Sequence, residues 1–261
     1  MEAPAIAPGV PSDYYERIAE VDERHWWYQG MLAIECALLG DRLSRRGQRL
    51  LDAGCGTGGM LRWALESGSF DSVAGVDLGS DAIEIARRRA PAADLRVAPL
   101  RELPFEDSSF DLIVSHDVLQ HIHERELDAS LGELRRVLAP GGAFLLRTNG
   151  SRRLRRERDD WRAYSRDALE QTLNQGGFVC ERITYVNVLV SLLAVLRGRA
   201  PHAPSEERHG VPSMEEGALR RAVGSRLLAA EARWLSRPGR SVPFGHNLLA
   251  VAVSATPPLA R

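Results

Sequence analysis

Leu50–Met60 reads LLDAGCGTGGM: an apolar run, an acid at Asp52, then glycines at 54, 56, 58 and 59. The pattern predicts a strand that ends in a tight loop, because glycine adopts positive φ without a Cβ clash and lets backbone approach a ligand. A helix starting just beyond the loop offers unpaired N–H groups to a polar ligand. Eighteen residues after Gly59 stands Asp77, closing a second apolar stretch, Val73-Ala-Gly-Val-Asp77. An acid at the tip of a second strand is placed to accept hydrogen bonds from ribose hydroxyls. Together the two signals describe a site for a nucleoside-containing cofactor.

The loop departs from the dinucleotide pattern G-x-G-x-x-G, since its order is Asp52-x-Gly54-x-Gly56-x-Gly58. Asp52 would repel a pyrophosphate but suits a ligand bearing ammonium and hydroxyl groups. Further along come Leu103-Pro-Phe-Glu-Asp-Ser-Ser-Phe-Asp111, Leu112-Ile-Val-Ser-His116 and Asp117-Val-Leu-Gln-His121. Glu133-Leu-Arg-Arg-Val-Leu-Ala-Pro-Gly-Gly142 then runs into Ala143-Phe-Leu-Leu-Arg147. In this order the segments resemble class I, Rossmann-like S-adenosylmethionine (SAM)-dependent methyltransferases, of the small-molecule, type 11-like branch. The likeness is close over 48–150 and looser over 160–254. It implies a doubly wound, mostly parallel seven-stranded α/β sheet, with the last strand inserted antiparallel between the fifth and sixth.

Composition narrows the function. The chain has 261 residues, enough for one α/β domain but not two full enzyme domains, and its net charge of −1 argues against general nucleic-acid binding. All 34 basic residues are Arg, which excludes lysine Schiff-base chemistry and a P-loop lysine. Cys36, Cys55 and Cys180 form no C-x-x-C pair, so neither a disulfide framework nor a zinc site is expected, and a cytoplasmic setting fits. The longest apolar run, Val186–Leu196, is about half of the ~20 residues a membrane span requires.

The sequence divides into a flexible tail over 1–12, an N-terminal helical lid over 13–47, the SAM-binding domain over 48–255 with a helical insertion or cap over 188–242, and a tail over 256–261. Tyr14–Leu43 is predicted as one helix, containing His25-Trp26-Trp27-Tyr28; these aromatics either pack on the sheet or wall the ligand. Strands are expected at 49–52, 72–76, 95–98, 112–115, 143–147, 178–186 and 246–254. Helices are expected at 59–68, 81–90 with Ser80 as cap, 124–138 ended by Pro140-Gly-Gly142, 165–175, and 218–235 with Leu219, Val223, Leu227, Leu228 and Trp234 on one side.

The resemblance assigns candidate roles. Asp52 and the backbone at Gly54, Cys55 and Gly56 would hold the amino-acid part of SAM, Asp77 the ribose, and Leu78 and Leu100 the adenine faces. Ala98-Pro99-Leu100 replaces the family's frequent Gly-Asp-Ala, removing a carboxylate from the adenine side. His116 would lie near the methionine part of SAM. His116 or His121 could deprotonate the acceptor, and a hydrogen-bonded structural histidine is the other reading. Asp117 reads as a helix cap. Arg152, Arg153, Arg155, Arg156, Arg158 and Arg162 form either a solvated loop or a clamp for an anionic or carrier-bound substrate. No metal arrangement is evident. The expected activity is methyl transfer to a small molecule, such as a sugar or secondary metabolite. A non-catalytic SAM-binding scaffold and an NAD(P)-dependent oxidoreductase are the alternatives. The acceptor atom and the oligomeric state have no signal in the sequence.

Overall fold

The computed structural model describes residues 13–22, 24–150, 162–188, 191–192 and 217–255. The elements, in chain order, are α1 (Tyr14–Asp22), α2 (Trp26–Leu39), β1 (Gln48–Ala53), α3 (Gly59–Ser67), β2 (Phe70–Asp77), α4 (Ser80–Arg89) and β3 (Asp94–Val97). They continue with β4 (Phe110–His116), α5 (Glu124–Val137), β5 (Leu138–Asn149), α6 (Arg166–Gln175), β6 (Phe178–Val186), α7 (Ala218–Leu235) and β7 (Asn247–Ser254). Short 3₁₀ turns follow α2 at Gly40–Ser44 and β4 at Leu119–His121.

One seven-stranded sheet has the order β3-β2-β1-β4-β5-β7-β6. The β1–β2, β1–β4, β2–β3 and β4–β5 pairs are parallel, and β7 runs antiparallel to both neighbours. This is the expected Rossmann-like topology, with the strand order reversing beside β1.

Alternation along the central strands divides the core between the two sheet faces. Leu50, Leu112, Val114 and Leu145 share one cluster with Met31 and Ile34 of α2 and Leu228 of α7. Leu51, Ile113, Phe144 and Leu146 share the other with Leu131 of α5, Leu169 of α6 and Phe178. Helix ends follow local chemistry. Asp81 opens α4 and Arg87, Arg88 and Arg89 close it, complementing the helix dipole. The Ser165 hydroxyl accepts the Ala168 N–H at 3.2 Å to start α6.

Several local expectations require correction. Tyr14–Leu43 is not one helix: α1 stops at Asp22, and the His25 imidazole caps α2 by accepting the Trp27 N–H at 3.2 Å. Ser80 is the first residue of α4 and makes no cap bond; Gly79 takes the capping position. Pro140-Gly-Gly142 does not terminate α5, because β5 already begins at Leu138. The inward side of α7 is also different. Gly224, Leu228, Glu231, Ala232 and Leu235 are buried, whereas Leu219 is 79% and Trp234 42% exposed.

Candidate functional site

The carboxyl ends of β1, β2, β4 and β5 meet where the strand order reverses, the position at which open α/β sheets bind ligands. The β1 end turns through Gly54 at φ +89°, Gly56 at +48° and Gly58 at +81°. Gly54 and Cys55 both donate their N–H groups to the Val76 carbonyl, at 2.8 and 2.9 Å, which fastens the loop to β2. A Cβ at Gly54 would lie 2.2 Å from Val118 Cγ2, so this position excludes a side chain on steric as well as conformational grounds. A Cβ at Gly56 would meet nothing within 4 Å: there the backbone faces open space. The Cys55 side chain turns away into the core, and its thiol is pushed well above the ordinary range by burial and by Asp52.

Asp77 joins two backbone segments. Its Oδ2 accepts the Gly56 N–H at 2.9 Å and its Oδ1 accepts the Gly79 N–H at 2.8 Å. Burial raises its pKa, against the lowering pull of those same bonds. Asp52 is 2% exposed. Burial pushes its pKa up to about 8, helped by the negative fields of Asp77 and Glu35 and opposed by Arg147. The two acids thus stand close enough for the charge of Asp77 to act on Asp52. Leu78, next to Asp77, is 51% exposed, while Leu100 is half-buried and leans on the second core cluster.

A buried ionic group lies next to these acids. Arg147, at the end of β5, donates to Glu35 Oε1 at 2.7 Å and, through Nε, to Asp117 Oδ2 at 2.9 Å. Its guanidinium also lies 5.4 Å from the Trp27 ring. His116 Nε2 stands 3.3 Å from Glu35 Oε2, and burial keeps the imidazole pKa low despite that carboxylate. Asp117 is not a helix cap: it adopts φ +57°, its N–H donates to the Arg147 carbonyl at 2.9 Å, and its carboxylate is held by Arg147. Tyr28 is half-buried beside this group and its phenol is raised far above its usual range, chiefly by desolvation.

His121 is exposed at the end of the 3₁₀ turn, its N–H bonded to the Val118 carbonyl at 2.9 Å. The geometry thus joins Asp52, Asp77, the glycine loop and His116, and links His116 to Glu35. Arg162 donates to the Tyr164 hydroxyl at 3.3 Å, and the other arginines of 152–158 lie outside the described residues. Among the described residues no group of His, Cys, Asp and Glu could hold a metal ion, and no helix is long and apolar enough to cross a membrane.

Sequence reasoning missed Glu35, Arg147, Asp22, Arg89 and Thr57. Arg89 Nη1 donates to the Thr57 carbonyl at 2.7 Å and to Asp22 Oδ2 at 3.0 Å, latching the end of α1 to the glycine loop. For two of them a signal existed. Glu35 is the lone acid in WWYQGMLAIECALL, and Arg147 ends an otherwise apolar strand core.

Residues 51–146 match the family model of a methyltransferase domain. That stretch is a domain of the class I SAM-dependent methyltransferase type. SAM is the cofactor of this family and of this domain. The chain is 28% identical over 251 residues to a malonyl-[acyl-carrier protein] O-methyltransferase of Enterobacter lignolyticus, covering 91% of each. A Serratia marcescens protein of the same name is 36% identical over 124 residues, and that match spans about half of each chain, 48% and 47%. In fold, this methyltransferase is similar to the geranyl diphosphate C-methyltransferase of Streptomyces coelicolor, solved with S-adenosyl-L-homocysteine (TM-score 0.58, 16% identity, covering 95% and 86%).

Proposed function

We propose that this protein transfers the methyl group of SAM to a carboxylate oxygen of an acyl chain carried as a thioester. The observation that carries this reading is the pair of neighbouring acids at the glycine loop, Asp52 at the end of β1 and Asp77 bonded to the Gly56 N–H. The relative of matching length, named for O-methylation of malonyl on a carrier, supports the acceptor class. A sugar or secondary-metabolite hydroxyl is the other acceptor class, and it would give His116 a different task.

The residues fit SAM chemically. Burial pushes the Asp52 pKa up to about 8 despite the opposing charge of Arg147; an ammonium placed beside it would draw the carboxylate back to its charged form. Asp77 would accept from the ribose diol, the backbone at Gly54–Gly56 would admit the amino-acid end, and Leu78 would present apolar surface to the adenine. When bound, SAM supplies a methyl already activated by its sulfonium, so the work of the chain is alignment and exclusion of water. A carboxylate nucleophile needs no base. The neutral imidazole of His116 would then hold and orient the acceptor, and with a hydroxyl acceptor it would take the proton. His121 is exposed and is proposed only as a rim contact. The α1–α2 segment would act as the lid, since the Asp22–Arg89–Thr57 latch closes it onto the loop; of the cap expected over 188–242, residues 189–190 and 193–216 lie outside the described residues. A cytoplasmic setting fits the acyl-thioester substrate class.

The test is formation of S-adenosylhomocysteine with purified protein. The expected acceptor is a dicarboxylic acyl thioester; turnover of sugar alcohols but not acyl acids would overturn the assignment. His116→Asn should lower kcat without weakening SAM binding. His121→Ala should leave both near wild type.

A further inference from the structure

We propose that the outer face of α7 is the docking surface for an acidic carrier protein that delivers the acyl acceptor. This rests on the acyl-thioester reading above. Over residues 217–240 the chain carries six arginines, at 220, 221, 226, 233, 237 and 240, against one acid, Glu231, although the whole chain is at −1. Glu231 is buried, so the only negative charge of the helix points inward. All six arginines are exposed; Arg226 and Arg233 stand opposite the buried side of α7, and Arg237 and Arg240 follow its end, the Arg240 guanidinium 4.5 Å from the Trp234 ring. Among the described residues Arg226, Arg233 and Arg237 make no ion pair.

The same face is apolar between its charges. Leu219 is 79%, Val223 36% and Trp234 42% exposed. Arginine and tryptophan with small apolar neighbours are the composition of a protein interface core, and guanidinium groups match surface carboxylates in bidentate fashion. An anionic bilayer would need the apolar residues gathered in one stripe with arginines on its flanks. Here Arg226 and Arg233, seven positions apart, stand in the middle of the solvent face, so membrane insertion would bury two guanidinium groups.

Position completes the argument. The inner face of α7 is seated on α2: a Cβ at Gly30 would lie 2.3 Å from Leu228 Cδ1, and one at Gly224 would lie 2.5 Å from the Trp26 ring. Glu231 lies near the backbone of Asn187 and Val188, just beyond the end of β6, which places this part of α7 at the carboxyl edge of the sheet. A partner on its outer face is thus one helix away from Glu35 and His116. At ~1.5 Å per residue the helix offers roughly 27 Å of docking length.

The experiment uses the full chain, a pantetheinylated acyl carrier protein bearing a malonyl thioester, and malonyl-pantetheine as the free small substrate. In Arg226→Glu/Arg233→Glu, carrier binding by fluorescence anisotropy should weaken about tenfold or more, with KM for the carrier-bound substrate rising in step. Turnover of malonyl-pantetheine, SAM affinity and the melting temperature should be unchanged. Arg45→Glu/Arg46→Glu, at the amino edge of the sheet, should change none of these. Wild-type binding of the carrier should weaken as salt rises. Equal carrier binding by wild type and the α7 variant, or no binding by wild type, would overturn the docking surface. So would α7-dependent sedimentation with phosphatidylglycerol vesicles in place of carrier binding. Carrier binding that depends on α7 without methylation of either thioester would instead sink the acceptor assignment and leave the docking surface standing.

Discussion

At the residue scale, Asp52 and Asp77 behave as a pair with different tasks. The Asp52 pKa of about 8 lies above its unfolded value, so its protonated form stabilises the ligand-free protein at low pH and that contribution is lost as pH rises through about 8. An ammonium beside it favours the ionised form, so binding below pH 8 releases a proton. SAM affinity should therefore climb from pH 6 to 8, with proton release visible by calorimetry in buffers of different ionisation enthalpy. Asp52→Asn should flatten the profile. Asp77→Ala removes two acceptors and also frees the Gly56 and Gly79 N–H groups. At ~1.5–3 kcal/mol for each charged hydrogen bond, SAM affinity should fall by about 100-fold or more, while far-ultraviolet circular dichroism stays native. Both acids were legible in the sequence because each follows an apolar run and stands beside a glycine signal. Glu35 and Arg147 were less so. Each lies in a segment whose apolar pattern is already complete, and their pairing joins positions 112 residues apart.

At the element scale, α2 is fixed to the sheet by polar as well as apolar contact. Glu35 stands between Arg147 and His116, and its side chain is 3% exposed. Glu35→Ala leaves a buried guanidinium with one partner fewer, which should cost ~3–5 kcal/mol in urea unfolding. Glu35→Gln keeps a hydrogen-bonding side chain in place and should cost less; equal losses in the two variants would show that packing, not charge, matters there. Periodicity correctly located nearly every helix and strand, because those signals are local. It failed at the break between α1 and α2, where an imidazole serves as the cap, and on α7. There apolar residues occur around most of the helix, and only the partner helix α2 selects the side to bury. Leu228 was in the expected stripe and is buried; Leu219 and Trp234 were also in it and are exposed.

At the scale of the whole molecule, ligand and fold are linked. The α1 latch and the β2 end both bond to the glycine loop, so SAM at 100 times its Kd should stabilise the protein by about 2.7 kcal/mol, or roughly 5–10 °C in melting temperature. Hydrogen exchange should slow at residues 54–59 and in α1, and unchanged exchange in α1 would deny it the part of a lid. Sheet topology was readable from the order of motifs, whereas the tie of α1 to Arg89 was not, because no pattern in either segment announces the other. The strand order has one more result. β7 separates β5 from β6, and about sixty residues lie between the end of β6 and the start of β7. At the ~5–20 residues per second of translation, two strand edges leave the ribosome several seconds before the segment that bridges them. The nascent chain is most vulnerable to aberrant association during that interval, and chaperones should engage it there.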